Sequence, residues 1–98
     1  MSRETGEPMR LIFLDFINIE DKISLHDYLI EKFNLPDYYG RNLDALWDCL
    51  MEISDYTLIE MQNIFALYGK LGDYSAKFLK TLDDAALENS YIWLKVLE

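Results

Sequence analysis

The chain has 98 residues, 51% of them hydrophobic, and its 18 acids against 9 bases give a formal net charge of −9. That length suits one core and that apolar content excludes a disordered chain, while the acidity disfavours nucleic acid and anionic membrane and favours a basic partner. One cysteine, Cys49, excludes an intramolecular disulfide and argues for a reduced, cytoplasmic setting.

In chain order, residues 1–8 are polar, carry no secretory signal, and are expected to form a flexible tail before one domain at 9–98. Arg10 to Phe16 (RLIFLDF) is a β-rich apolar run that reads as a buried strand. Ser24 is placed as the N-cap of a first helix, with Asp27 three residues on as a short capping box. Leu25, Tyr28, Leu29 and Phe33 form its core stripe, and Asn34 and Pro36 end it. Leu35 to Arg41 is a loop in which Gly40 relieves a hindered backbone.

Asn42 caps the next helix, Leu43 to about Ile53. Tyr56 to Glu60 reads as a second strand and Met61 to Tyr68 as a short helix, before a turn containing Gly69 and Gly72. Asp73 is placed as the cap of a helix running to about Leu87, with Ala76, Leu79, Leu82 and Ala86 as its stripe, flanked by Phe78 and Ala85. Tyr91 to Leu97 is aromatic and branched enough for a third strand. Strands alternating with helices favour parallel pairing, so the expected fold is α/β, a three-stranded parallel sheet against about four helices. No stretch approaches the ~20 apolar residues of a membrane span.

The helix from Leu43 carries the functional signal. At ~100° per residue, Leu43, Leu46, Leu50 and Ile53 share a core side. Asp44, Asp48 and Glu52 share another, Trp47 lies between the two, and Cys49 is placed pointing away from the acids. Like charges four residues apart cost roughly 0.2–0.5 kcal/mol per pair. Asp44 recovers part of this near the positive end of the helix dipole. The nearest base in sequence is Arg41. Acids on a helix face also arise from solubility alone, and a Trp at a face boundary is commonly core. The adjoining aromatic residues Tyr38 and Tyr39 favour a binding surface, because aromatic anchors and charges dominate affinity and partner choice at interfaces.

The run Leu35 to Leu50 (LPDYYGRNLDALWDCL) closely resembles the signature of the barstar family, intracellular inhibitors of the extracellular ribonuclease barnase and related enzymes. The resemblance implies a three-stranded parallel sheet with helices, and a binding surface made of the loop and the helix after it. It implies that Tyr38, Asp44, Trp47 and Asp48 contact the nuclease, with Tyr39, Gly40 and Asn42 in the same surface. Asp48 is the implied anchor, entering the pocket that holds the substrate phosphate. Asp84 is implied as a distal acidic contact, with Asp83 as the alternative. Arg41 and Asp37 depart from the best-known member, which carries an acid at the first position and a Glu at the second. These departures leave a different nuclease or another basic toxin open as the partner.

Two other classes compete. Asp44 and Asp48 have the chemistry for acid–base work or metal binding. Against an enzyme stand the lack of a recognisable nucleophile–base arrangement or glycine-rich phosphate loop, and a lone histidine, His26, whose place on an amphipathic helix reads as structural. No catalytic residue, metal or cofactor is expected. The alternative is an acidic binding module, an immunity protein for a basic partner that is not a ribonuclease.

Overall fold

In a computed structural model that describes residues 9–97, the elements run β1 (Arg10–Asp15), α1 (Lys22–Phe33), α2 (Leu43–Met51), β2 (Thr57–Gln62), α3 (Ile64–Leu71), α4 (Asp73–Glu88) and β3 (Ile92–Leu97). The expected tail at 1–8 lies outside the described residues. The sheet order is β1-β2-β3 with both pairings parallel, placing Ile12 beside Ile59 and Ile59 beside Leu94. This is the expected α/β fold of three parallel strands and four helices.

One face of the sheet is core. Ile12, Leu14, Ile59, Met61 and Ile92 are buried there, joined by Leu25, Leu29 and Phe33 of α1, Leu46 and Leu50 of α2, and Phe78, Leu82 and Ala85 of α4. Phe16 meets Phe78 edge to face at 5.8 Å between ring centres. Each large side chain so buried contributes about 1.5–3 kcal/mol. The alternate strand positions Leu11, Phe13 and Trp93 stay exposed, so the run expected as a buried strand is buried on one face only. β1 also stops at Asp15, whose carboxylate accepts from the Ile17 amide at 3.1 Å and from Asn63 Nδ2 at 2.7 Å.

Several boundaries differ for local reasons. The N-cap of α1 is Asp21, not Ser24. Asp21 Oδ1 accepts from the Ser24 amide at 2.8 Å, and Ser24 Oγ accepts from the Asp21 amide at 3.1 Å. The expected Ser24–Asp27 box is a reciprocal box one turn earlier. Met61 and Gln62 belong to β2 because the central strand matches six residues on both neighbours. Asn63, in the left-handed region at φ 63°, then turns the chain into α3. Gly69 lies inside α3, and Gly72, at φ 57°, makes the turn alone. In α4 the buried stripe is Ser75, Phe78, Leu82 and Ala85, with Ala76 exposed. Phe78 and Ala85, expected to flank the stripe, are at its centre, and Asp73 is the first helical residue, not the cap.

Candidate functional site

The loop before α2 is built to start that helix sharply. Asn42 is extended at φ −146°, and its Oδ1 accepts from the Ala45 amide at 2.7 Å. Its Nδ2 donates back to the Gly40 carbonyl at 3.2 Å. A Cβ on Gly40 would meet the Ala45 Cβ at 3.3 Å, so a larger residue would push the loop a few tenths of an ångström from the first turn of α2. Asn42 therefore acts first as the helix cap.

The helix then presents two sides. Leu46 and Leu50 are buried, while Asp44, Asp48 and Glu52 are exposed. The helix ends at Met51, shorter than expected, and Glu52 becomes its C-cap. An anion there sits at the negative end of the dipole, so the acidic row is unfavourable for the helix itself. The ion pairs among the described residues join Arg41 to Asp27, Lys70 to Glu20 and Lys80 to Asp84. None involves the three acids of α2.

Asp48 and Glu52 face an open cleft of about 330 Å³, bounded also by Tyr38, Gly40, Ala45 and Cys49. Tyr38 is 83% exposed. Trp47 is half-buried and packs against the core. Cys49 does not point away from the acids as expected but lines their cleft. Burial, followed by the charges of Glu52 and Asp48, pushes its thiol pKa up, so it adds no charge there. Neither Asp84 nor Asp83 lies in the cleft. Both stand on α4, which packs against α2, and Asp84 pairs with Lys80 at 3.3 Å.

Tyr39 also lines this cleft, but most of it turns inward. Its ring is buried, 7% exposed, and its hydroxyl lies 2.7 Å from His26 Nδ1. The other ring nitrogen, Nε2, lies 2.8 Å from the Tyr74 hydroxyl. A neutral imidazole donates to one of these oxygens and accepts from the other hydroxyl. Tyr39 thus ties the loop to α1 and α4 and does not offer an exposed anchor. His26 has the structural place expected of it.

Burial, reinforced by Arg41 and opposed by Asp27, holds the His26 imidazole below its ordinary pKa of 6.5. Between that lowered value and 6.5 the unfolded chain binds more protons than the folded one. The stabilisation is therefore complete above about pH 6.5 and is lost as pH falls through this window. His26→Gln, which keeps one donor and one acceptor, should flatten the change in urea midpoint between pH 7 and pH 5. An unaltered pH dependence would remove His26 as its cause.

Sequence reasoning missed a second tie. Asn89 Nδ2 donates to the carbonyls of Leu50 and Ile53, both at 3.0 Å, closing the C-terminal end of α2. Nothing local to Asn89 signals this, since its partners lie 36 and 39 residues away. Among the described residues no group of three or more His, Cys, Asp or Glu side chains is placed to hold a metal ion. No helix among them is long and apolar enough to cross a membrane.

The fold and site define a parallel α/β scaffold that carries an acidic helix beside an exposed tyrosine. Over residues 9–96 the chain matches the family described as Barstar (barnase inhibitor), and it belongs to that family. It is also 42% identical over 86 residues to "Putative ribonuclease inhibitor YrdF" of Bacillus subtilis (strain 168), a match covering 82% of this chain and 89% of that protein.

Proposed function

We propose that the chain inhibits a basic ribonuclease of the barnase type by seating the Asp48 carboxylate in the enzyme's phosphate-binding pocket. The observation that carries this reading is the exposed row of Asp44, Asp48 and Glu52, unpaired among the described residues, beside exposed Tyr38. Family membership and the name of the 42% identical relative support it. A ribonuclease site is concave and cationic. A carboxylate held on a stiff helix fills it as a phosphate does, without a bond to cleave, and sites lacking matching cations reject it through the cost of an unpaired buried charge. Tyr38 and Trp47 supply apolar contact beside the anchor, and Asp44 adds to the negative face.

Titrating the chain into barnase and following RNA cleavage should abolish activity at one equivalent. If barnase stays active, capture of proteins on the immobilised chain, followed by a ribonuclease assay of what is retained, separates a different nuclease from the second reading. That reading, an acidic module for a basic partner without ribonuclease activity, draws on Arg41, which places a base inside the loop. Raising salt from 50 to 500 mM should slow association by about tenfold or more and leave dissociation nearly unchanged, because steering acts over the screening length and short-range contacts do not. Stopped-flow measurement checks this, and an association rate indifferent to salt counts against steering.

A further inference from the structure

The loop between α1 and α2 separates two concavities of different charge. On one side is the cleft that holds Asp48 and Glu52. On the other is a groove of about 360 Å³ lined by Lys22, Ile23, His26 and Arg41, mostly apolar in surface but carrying two cationic side chains. Two of the nine bases of a chain of net charge −9 thus line one groove at the edge of the acidic surface.

Both cations are held in place. Arg41 sits between Gly40 and the helix cap Asn42 in the left-handed region, φ 57°, and its Nη1 donates to Asp27 Oδ1 at 2.5 Å. Asp27 is not a lining residue of the groove. Lys22 Nζ lies 4.5 Å from the centre of the Tyr74 ring. Ordering them costs little further entropy on binding. A guanidinium has five N–H donors, and Asp27 is its one hydrogen-bond partner among the described residues, so donors remain for a ligand. Ile23, 69% exposed, adds an apolar wall. The field of the whole chain discourages small anions from solution. An anionic side chain carried on a basic protein escapes that penalty, because its parent is drawn to the acidic cleft next door.

We propose that this groove is a second subsite of the docking surface and receives an Asp or Glu side chain of the nuclease that lies beside its cationic pocket. The inference rests on the inhibitor reading and sharpens it. The surface has two signs, and Arg41 and Lys22 favour partners with an acid at that rim and reject those with a base there.

The test compares the wild type, Asp48→Ala and the double variant Lys22→Gln/Arg41→Gln for binding to barnase, with thermal melts of each alone. The double variant moves the net charge from −9 to −11, since two positive charges are lost. Steering alone makes a more negative chain bind a basic protein faster and tighter. A filled subsite gives the opposite sign, a loss of about tenfold in affinity carried by faster dissociation. The exposed Arg41–Asp27 pair contributes little to stability, so an unchanged melting temperature assigns that loss to the groove. Carbodiimide, which joins amines to carboxylates, should also link Lys22 to a barnase carboxylate in the complex. If Asp48→Ala weakens binding while the double variant binds equally or better and Lys22 is not linked, the subsite is wrong and the inhibitor reading stands. If the wild type has no affinity for barnase, the reading fails for that nuclease and the subsite fails with it.

Discussion

Asp48→Ala should weaken nuclease binding by at least about 2 kcal/mol, roughly thirtyfold, and at the same time make the free protein slightly more stable. The two effects have different origins. Binding is lost because the anchor carboxylate is gone and the partner's cations are left buried and unanswered, a cost larger than the value of the pair itself. Stability rises because Asp48 lies four residues from both Asp44 and Glu52, and removing it relieves two like-charge pairs at roughly 0.2–0.5 kcal/mol each. Alanine is also the better helix former at this exposed position. Titration calorimetry and urea unfolding on the same variant test both signs. Asp48→Asn keeps the shape and removes the charge, so it should lose most of the affinity as well. An alanine variant that binds unchanged would end the anchor assignment. One that unfolds more easily would show that Asp48 serves the fold.

The exposed acidic row of α2 was legible in the sequence. Asp44, Asp48 and Glu52 break a local rule of helix stability, and a broken local rule is visible in sequence because it depends only on spacing. The alternation of strands and helices was legible for the same reason, since hydrophobic period and chain order specify a parallel α/β layer. The inward turn of Tyr39 was not legible, because a tyrosine next to an exposed tyrosine carries no mark of which ring is buried. The choice is made by His26, 13 residues earlier, and Tyr74, on the far side of the sequence. The cap of α1 was ambiguous for a smaller reason. Asp21 and Ser24 are both good caps three residues apart, and each bonds the other's amide. Arg41 looked in sequence like a dilution of the acidic field. In three dimensions it pairs with Asp27 of α1 and not with the acids of α2, which have no ion-pair partner among the described residues.

The stability of the docking helix is expected to depend most sharply on Asn89. This side chain, 9% exposed, donates to the Leu50 and Ile53 carbonyls and accepts from the Tyr91 amide at 2.9 Å. It therefore joins the end of α2 to the turn between α4 and β3. Asn89→Ala leaves the Leu50 carbonyl with its backbone amide donors but takes their partner from the Ile53 carbonyl and the Tyr91 amide. A buried acceptor left without a donor costs about 1–3 kcal/mol, so a total loss near 2–4 kcal/mol is expected, lowering Tm by about 10 °C or more. Asn89→Asp should be worse than alanine at neutral pH, because it sets a carboxylate against the same two carbonyl oxygens. Its deficit should shrink as pH falls and the carboxyl regains a proton to donate. A simple loss of packing predicts the reverse order, with the near-isosteric aspartate milder than alanine and insensitive to pH. Differential scanning calorimetry of the three proteins at pH 7 and pH 4.5 separates the accounts. If Asn89 is a strut of the docking helix, part of its cost reappears in nuclease affinity, but less than for Asp48→Ala, since Asn42 still caps the end of α2 that carries Asp44.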